Sequence, residues 1–191
     1  PNALEKQHDV LLFVGCTTAS NPSLTGRAVK TAAILQKAGV DLAILGKDEP
    51  CCGSVQKRIG AAEQAREMMN KNISLLNKAG CKTIVTLCAG CANALKNDYN
   101  HGEETLKPKV LHLVEYLAQL LQDGSLKPVK KQDRKVAYHD PCHLGRHMGV
   151  FDAPREVLRA LPGIELVERG ATGKDTICCG AGGGMRIFES G

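Results

Sequence analysis

The chain has 191 residues, 43% of them hydrophobic, which suffices for a buried core in one large domain or two small ones. Aromatic residues make up 3% and tryptophan is absent, so the core must come from Leu, Val, Ile and Ala, and the aromatic platforms that stack single-stranded nucleic acid are missing. A formal charge of +5 is too small and too dispersed to mark a polyanion-binding face, and no stretch approaches the ~20 apolar residues of a membrane span.

Val10 to Val14 is a short apolar run that meets Gly15-Cys16 and reads as a buried strand. Between Leu24 and Ala38 the apolar positions Ala28, Ala32 and Leu35 recur at helical spacing, and Gly39 stops the helix. Asp41 to Leu45 reads as a second strand that opens into Gly46-Lys47-Asp48-Glu49-Pro50-Cys51-Cys52-Gly53. A long helix is expected from about Ile59 to Ala79, followed by a third strand, Thr83 to Leu87, that ends at Cys88-Ala89-Gly90-Cys91. Val110-Leu111 leads into a helix, Leu113 to Gln122, whose apolar set Leu113, Val114, Leu117, Leu120 and Leu121 fits one face. A polar segment containing Pro128 follows; then come a strand at Val136-Ala137-Tyr138, a helix from Pro154 to Ala160 and a strand at Glu165-Leu166-Val167.

Alternating strands and helices predict an α/β fold of small parallel sheets with flanking helices. Cys142 and Cys178 repeat Cys16 and Cys51 at offsets of 126 and 127 residues, which points to an internal duplication. The expected organisation is a first half at residues 1–124, a linker at 125–132 and a second half at 133–191. The same offset carries the counterparts of Cys88 and Cys91 past Gly191, so the second half is expected to be truncated at its C-terminal side. Ligands of parallel sheets gather beyond the carboxyl ends of the strands, and Cys16, Cys51, Cys52, Cys88 and Cys91 all follow such ends.

Nine cysteines without a recognisable secretory signal suggest a reducing, cytoplasmic setting, where a cysteine framework binds metal or does redox work. Adjacent α-carbons lie about 3.8 Å apart, awkward for two ligands of one tetrahedral ion but compatible with neighbouring irons of a cluster. Thiolates suit both iron–sulfur clusters and zinc. A zinc site would use four of the first five cysteines and leave one unexplained. A metal-free dithiol at Cys88 and Cys91 is a third reading, while Cys81, outside the pattern, reads as a core thiol. His139 and His143 flank Cys142, where they could protonate a leaving thiolate or fix the loop; His8, His101, His112 and His147 show no such pattern. Lys47, Lys57, Arg58 and Arg146 are candidates to offset thiolate charge.

The spacing of a single Cys, 34 residues, Cys51-Cys52-Gly53, 35 residues and a closing Cys-x-x-Cys resembles the CCG cysteine-rich domain of heterodisulfide reductase catalytic subunits and related iron–sulfur oxidoreductases. His139-Asp140-Pro141-Cys142-His143-Leu144-Gly145-Arg146-His147 and Cys178-Cys179-Gly180-Ala181-Gly182-Gly183-Gly184 look most like the membrane-associated branch. The resemblance implies a noncubane [4Fe-4S] cluster held by Cys16, Cys51, Cys52, Cys88 and Cys91, with Cys142, Cys178 and Cys179 matching in the second copy. It also implies electron transfer to a disulfide substrate, with a ferredoxin-like, flavin or haem donor in another redox subunit. Location would be cytoplasmic, free or held at a membrane through a partner. Two alternatives accompany this reading: an electron-transfer subunit of a 2-hydroxy-acid or glycerol 3-phosphate dehydrogenase, and a zinc-stabilised scaffold module.

Overall fold

The computed structural model describes residues 1–100, 104–168 and 170–185. Two compact units are present: Pro1–Leu111 together with the described part of Gly180–Gly191, and His112–Cys179.

In the first unit, β1 (Val10–Phe13) runs parallel to β2 (Leu42–Ala43) on one side and β3 (Thr83–Thr86) on the other, with β4 (Lys109–His112) next to β3. Val10 pairs with both Leu42 and Thr83, so the three strands start in step. The helices α1 (Cys16–Ser20) and α2 (Pro22–Lys37) link β1 to β2, and α3 (Ser54–Arg58) and α4 (Ala62–Lys78) link β2 to β3. α5 (Ala89–Asn93) follows β3 and continues as a π-helical turn, Ala94–Asp98. Asn21 starts α2 by accepting the Ser23 N–H at 3.0 Å, and Pro22 takes the first helical position, where its missing N–H costs nothing.

Every residue of β1 is buried because the sheet is covered on both faces. Leu11 and Phe13 share a core with Ala65, Met69, Ile73 and Leu76 of α4, while Val10 and Leu12, equally buried, point to the other side by strand alternation.

Two expected elements change. The helix expected over Ile59 to Ala79 is present as α4 but starts only at Ala62, because Gly60 takes a φ of 93° and its neighbour Ala61 donates back to the Gln56 carbonyl at 3.0 Å, separating α3 from α4. The strand expected over Asp41 to Leu45 keeps two ladder residues. Ile44 instead bridges to Asn2, with its N–H on the Pro1 carbonyl at 3.0 Å and its own carbonyl accepting from Ala3 at 2.9 Å.

The second unit holds α6 (Leu113–Gln122), β5 (Arg134–Ala137), α7 (Asp152–Arg159) and β6 (Ile164–Val167), with β5 and β6 parallel. His112 caps α6 by accepting the Val114 N–H, and Glu115 reaches back to the His112 N–H at 2.9 Å. The chain is thus α/β, with small parallel sheets and flanking helices in both units.

Candidate metal centre

Three strand ends deliver the first set of thiols. Cys16 opens α1 just beyond β1, Cys51 and Cys52 lie between a 3-10 turn at Gly46–Asp48 and α3, and Cys88 caps α5, which contains Cys91. Because β1 lies between β2 and β3, the chain reverses direction of winding at β1 and β3, the point where such sheets bind ligands. Cys16 Sγ stands 3.7 Å from Cys51 Sγ. The Cys91 N–H donates to Cys88 Sγ at 3.5 Å, and Cys51, Cys52, Cys91 and Cys88 lie near enough to shift one another's acidity, so the five thiols gather in one row. Gly15 takes a φ of 85°, a conformation that other residues rarely adopt, at the turn from β1 into Cys16.

The row is electrostatically polarised. The Cys52 thiol is brought down to about 3, first by hydrogen bonds from Cys51 and Cys91 and then, against burial, by the backbone N–H of Ser54. Cys88 falls to about 6, chiefly through Cys91, helped by the N–H groups of Cys91 and Gly90. Cys51 and Cys91 are pushed up, chiefly because each shares its proton with Cys52. Thiolate is therefore favoured at alternate places along the row, with backbone N–H groups directed at the sulfurs.

Side chains absent from the cysteine pattern position this row. Asn72, buried on α4, donates to the Cys51 carbonyl and to the Tyr99 hydroxyl, both at 2.8 Å; Tyr99 donates in turn to the Cys52 carbonyl at 3.2 Å. Glu49 accepts the N–H groups of Val14 at 2.8 Å and Gly15 at 2.6 Å, while burial pushes its carboxyl up and these two bonds pull it back. A signal for Asn72 was present: it lies in the apolar stripe Met69, Ile73, Leu76, where a lone amide needs buried partners. A cavity of about 290 Å³ shares Tyr99 with this network and is otherwise lined by Lys57, Ala65, Met69, Ile73 and Asp98 among others.

In the second unit, half-buried Cys142 meets Cys178, with Cys179 close enough to act on it; burial first, then Cys178, raises the Cys142 thiol. The approach to this pair repeats the first. Gly173-Lys174-Asp175 forms a 3-10 turn identical in sequence to Gly46-Lys47-Asp48, and the two turns begin at nearly the same φ, 62° and 61°. Asp140, two residues before Cys142, pairs with Arg155 through both carboxylate oxygens at 2.7 and 2.8 Å. Arg155 also holds Glu168 at 2.7 and 3.1 Å and the Phe151 carbonyl at 2.7 Å, and stands over the Tyr138 ring at 5.2 Å.

His139 is exposed, and His143, half-buried, has its ring 5.2 Å from that of His147; His101 lies outside the described residues. Lys57 pairs with Asp98 at 2.7 Å, Arg58 binds Ser54 at its carbonyl and hydroxyl, Arg146 donates to the Thr176 carbonyl, and Lys47 is exposed. Cys81 is buried in the core with its thiol 3.7 Å from the Ala79 carbonyl. Among the described residues, no three Cys, His, Asp or Glu side chains surround a point suited to a single metal ion. No helix among them is long and apolar enough to cross a membrane.

The chain is 43% identical over 96% of its length to a Methanosarcina mazei protein named as one component of the dihydromethanophenazine:CoB--CoM heterodisulfide reductase, and it spans 45% of that protein. It is 36% identical to the probable iron-sulfur-binding oxidoreductase FadF of Bacillus subtilis and 37% identical to the EtfAB:quinone oxidoreductase of Syntrophomonas wolfei, over 96% of this chain in both cases. It spans about a quarter of each, 26% and 25%. The family model described as the CCG cysteine-rich domain matches twice, at residues 10–96 and 136–190, once over each set of thiols. With two matches that together take in most of the sequence, the chain belongs to the CCG cysteine-rich domain family.

Proposed function

We propose that this chain is the cysteine-rich, cluster-holding part of an iron–sulfur oxidoreductase that passes electrons to a disulfide. The observation that carries the reading is the row of five thiols drawn from three strand ends, with backbone N–H groups directed at the sulfurs. The donor set fits an iron–sulfur group: sulfur ligands only, with Cys52 and Cys91 buried, Cys51 and Cys88 half-buried and Cys16 exposed, and backbone N–H dipoles to meet the negative charge. Cys16, Cys51, Cys52, Cys88 and Cys91 would hold a noncubane [4Fe-4S] cluster, which when bound supplies one-electron redox chemistry. Cys142, Cys178 and Cys179 would offer three further sulfur ligands in the second unit.

The chain's own residues divide the remaining work. Asn72 and Tyr99 fix the carbonyls of the vicinal pair, which sets the direction of both thiols. The N–H groups of Ser54, Gly90 and Cys91 stabilise thiolate over thiol. His139 and His143, on either side of Cys142, are the groups able to give a proton to a thiolate released there. The electron donor would belong to another redox subunit or another part of a longer chain, in a cytoplasmic assembly that a partner could hold at a membrane.

A second reading is favoured by the quinone oxidoreductase among the relatives: electron transfer for a dehydrogenase, with no disulfide reduced. The two readings separate in one assay. Protein reconstituted anaerobically with iron and sulfide is reduced with a viologen dye and mixed with alkyl disulfides. Thiol release in step with dye oxidation, lost in Cys52→Ser and kept in Cys81→Ser, is expected. A brown, iron-containing protein that takes electrons and cleaves no disulfide would replace this reading with the electron-transfer one. A colourless protein binding about one zinc would overturn both.

A further inference from the structure

We infer that in each repeat a carboxylate latch ties the first-cysteine loop to the vicinal-pair loop, and that the two repeats build it in opposite directions. In the first repeat the acid sits on the vicinal-pair loop: Glu49, two residues before Cys51, takes the N–H groups of Val14 and Gly15, which lead directly into Cys16. In the second, the position equivalent to Glu49 is Thr176 and the position equivalent to Val14 is Asp140. The acid has changed sides. Asp140, two residues before Cys142, reaches across to the Gly173 N–H at 2.8 Å and the Thr176 hydroxyl at 3.5 Å.

The equivalence does not rest on counting alone. Glu49 and Thr176 each directly follow one of the identical Gly-Lys-Asp turns, each turn closed by a bond from that fourth residue's N–H to the first residue's carbonyl. At one junction in each repeat, a single carboxylate thus crosses between the loops that carry the first thiol and the pair. The chemistry calls for an acid. The Val14 and Gly15 N–H groups point to one place and need two acceptor atoms there, which a carboxylate supplies and an amide does not. Cys16 and Cys51, the residues nearest the latch, are the two whose sulfurs stand 3.7 Å apart.

Glu49 and Asp140 are on this account positioning residues. Their value to a cluster rests on the reading above, but the positioning itself is measurable without metal. Full-length, metal-free protein is treated with diamide, which takes one hydrogen from each of two thiols to leave a disulfide and a hydrazine. Peptide mapping follows the Cys16–Cys51 and Cys142–Cys178 products separately.

Glu49→Gln and Glu49→Ala should slow the Cys16–Cys51 product about tenfold and leave the Cys142–Cys178 rate unchanged. Glu49→Asp, which keeps the acid on a shorter arm, should fall between, and circular dichroism should match the unaltered protein throughout. Asp140→Asn should give the converse pattern. After reconstitution, Glu49→Gln should also change the electron paramagnetic resonance signature of the iron. Unchanged Cys16–Cys51 rates in both Glu49→Gln and Glu49→Ala would overturn the latch, whatever iron is bound. Slowed cross-linking in a protein that takes up no iron would uphold the latch and overturn the proposed function.

Discussion

Gly53 shows at the scale of one residue how the vicinal pair is made possible. Its φ of 73° turns the chain out of Cys51-Cys52 into α3, and a Cβ there would meet Met69 at 3.4 Å. Gly53→Ala should therefore destabilise the first unit by about 1–2 kcal/mol, read as a lower midpoint in denaturant. Tyr99→Phe tests the other support of the pair. It removes the hydroxyl from between Asn72 and the Cys52 carbonyl, leaving buried polar groups without a partner, and should cost about 1–3 kcal/mol. An unchanged midpoint in both variants would mean that the pair is held by its thiols alone. Glycine after two cysteines was legible in the sequence. Tyr99 was not, because its partner is a backbone carbonyl 47 residues away, and backbone acceptors leave no mark in a sequence pattern.

Among the elements, the first three parallel strands and their cysteine-bearing ends were readable because buried strands need apolar runs, and these three runs stop at Gly15, Gly46 and Cys88. The short helices α1, α3 and α5 were not. Five residues give too little periodicity to register, and all three owe their position to the turn or loop before them. The ion cluster of the second unit was equally hidden, since Asp140, Arg155 and Glu168 come from three separate segments.

That cluster has a testable energetic signature. All five N–H donors of Arg155 are engaged, and it and Asp140 are both buried, so Arg155→Met should lower local stability around β5 and β6 by about 3–5 kcal/mol. Hydrogen exchange of those strands is the direct measurement. Arg155 holds the Asp140 carboxyl below the usual carboxylate range. Its contribution is therefore complete above the unfolded value of about 3.9 and is lost as pH falls through the lower folded value. The gap between the two proteins should close over that acidic window; a gap independent of pH would assign the stability to packing instead.

At the scale of the whole molecule, the duplication places one cysteine set in each unit, and the two sets are unequal. The first brings five thiols into one row, and the second brings Cys142 to Cys178 with Cys179 near. Sequence spacing made both sets visible, and the paired family matches agree with it. The spacing left out the reversed acidic junctions, because Glu49 and Asp140 fall at different places in the two repeats. If complete cluster assembly needs the five-thiol row, the first unit is where iron should reside.

The most direct measurement is iron and sulfide per chain after anaerobic reconstitution, taken for the unaltered protein, Cys51→Ser, Cys178→Ser and Cys81→Ser. About four irons per chain, lost in Cys51→Ser and retained in Cys178→Ser and Cys81→Ser, is the predicted result. Equal iron in the unaltered protein and Cys51→Ser would contradict the account, because the vicinal pair would then be packed into the fold without holding a cluster.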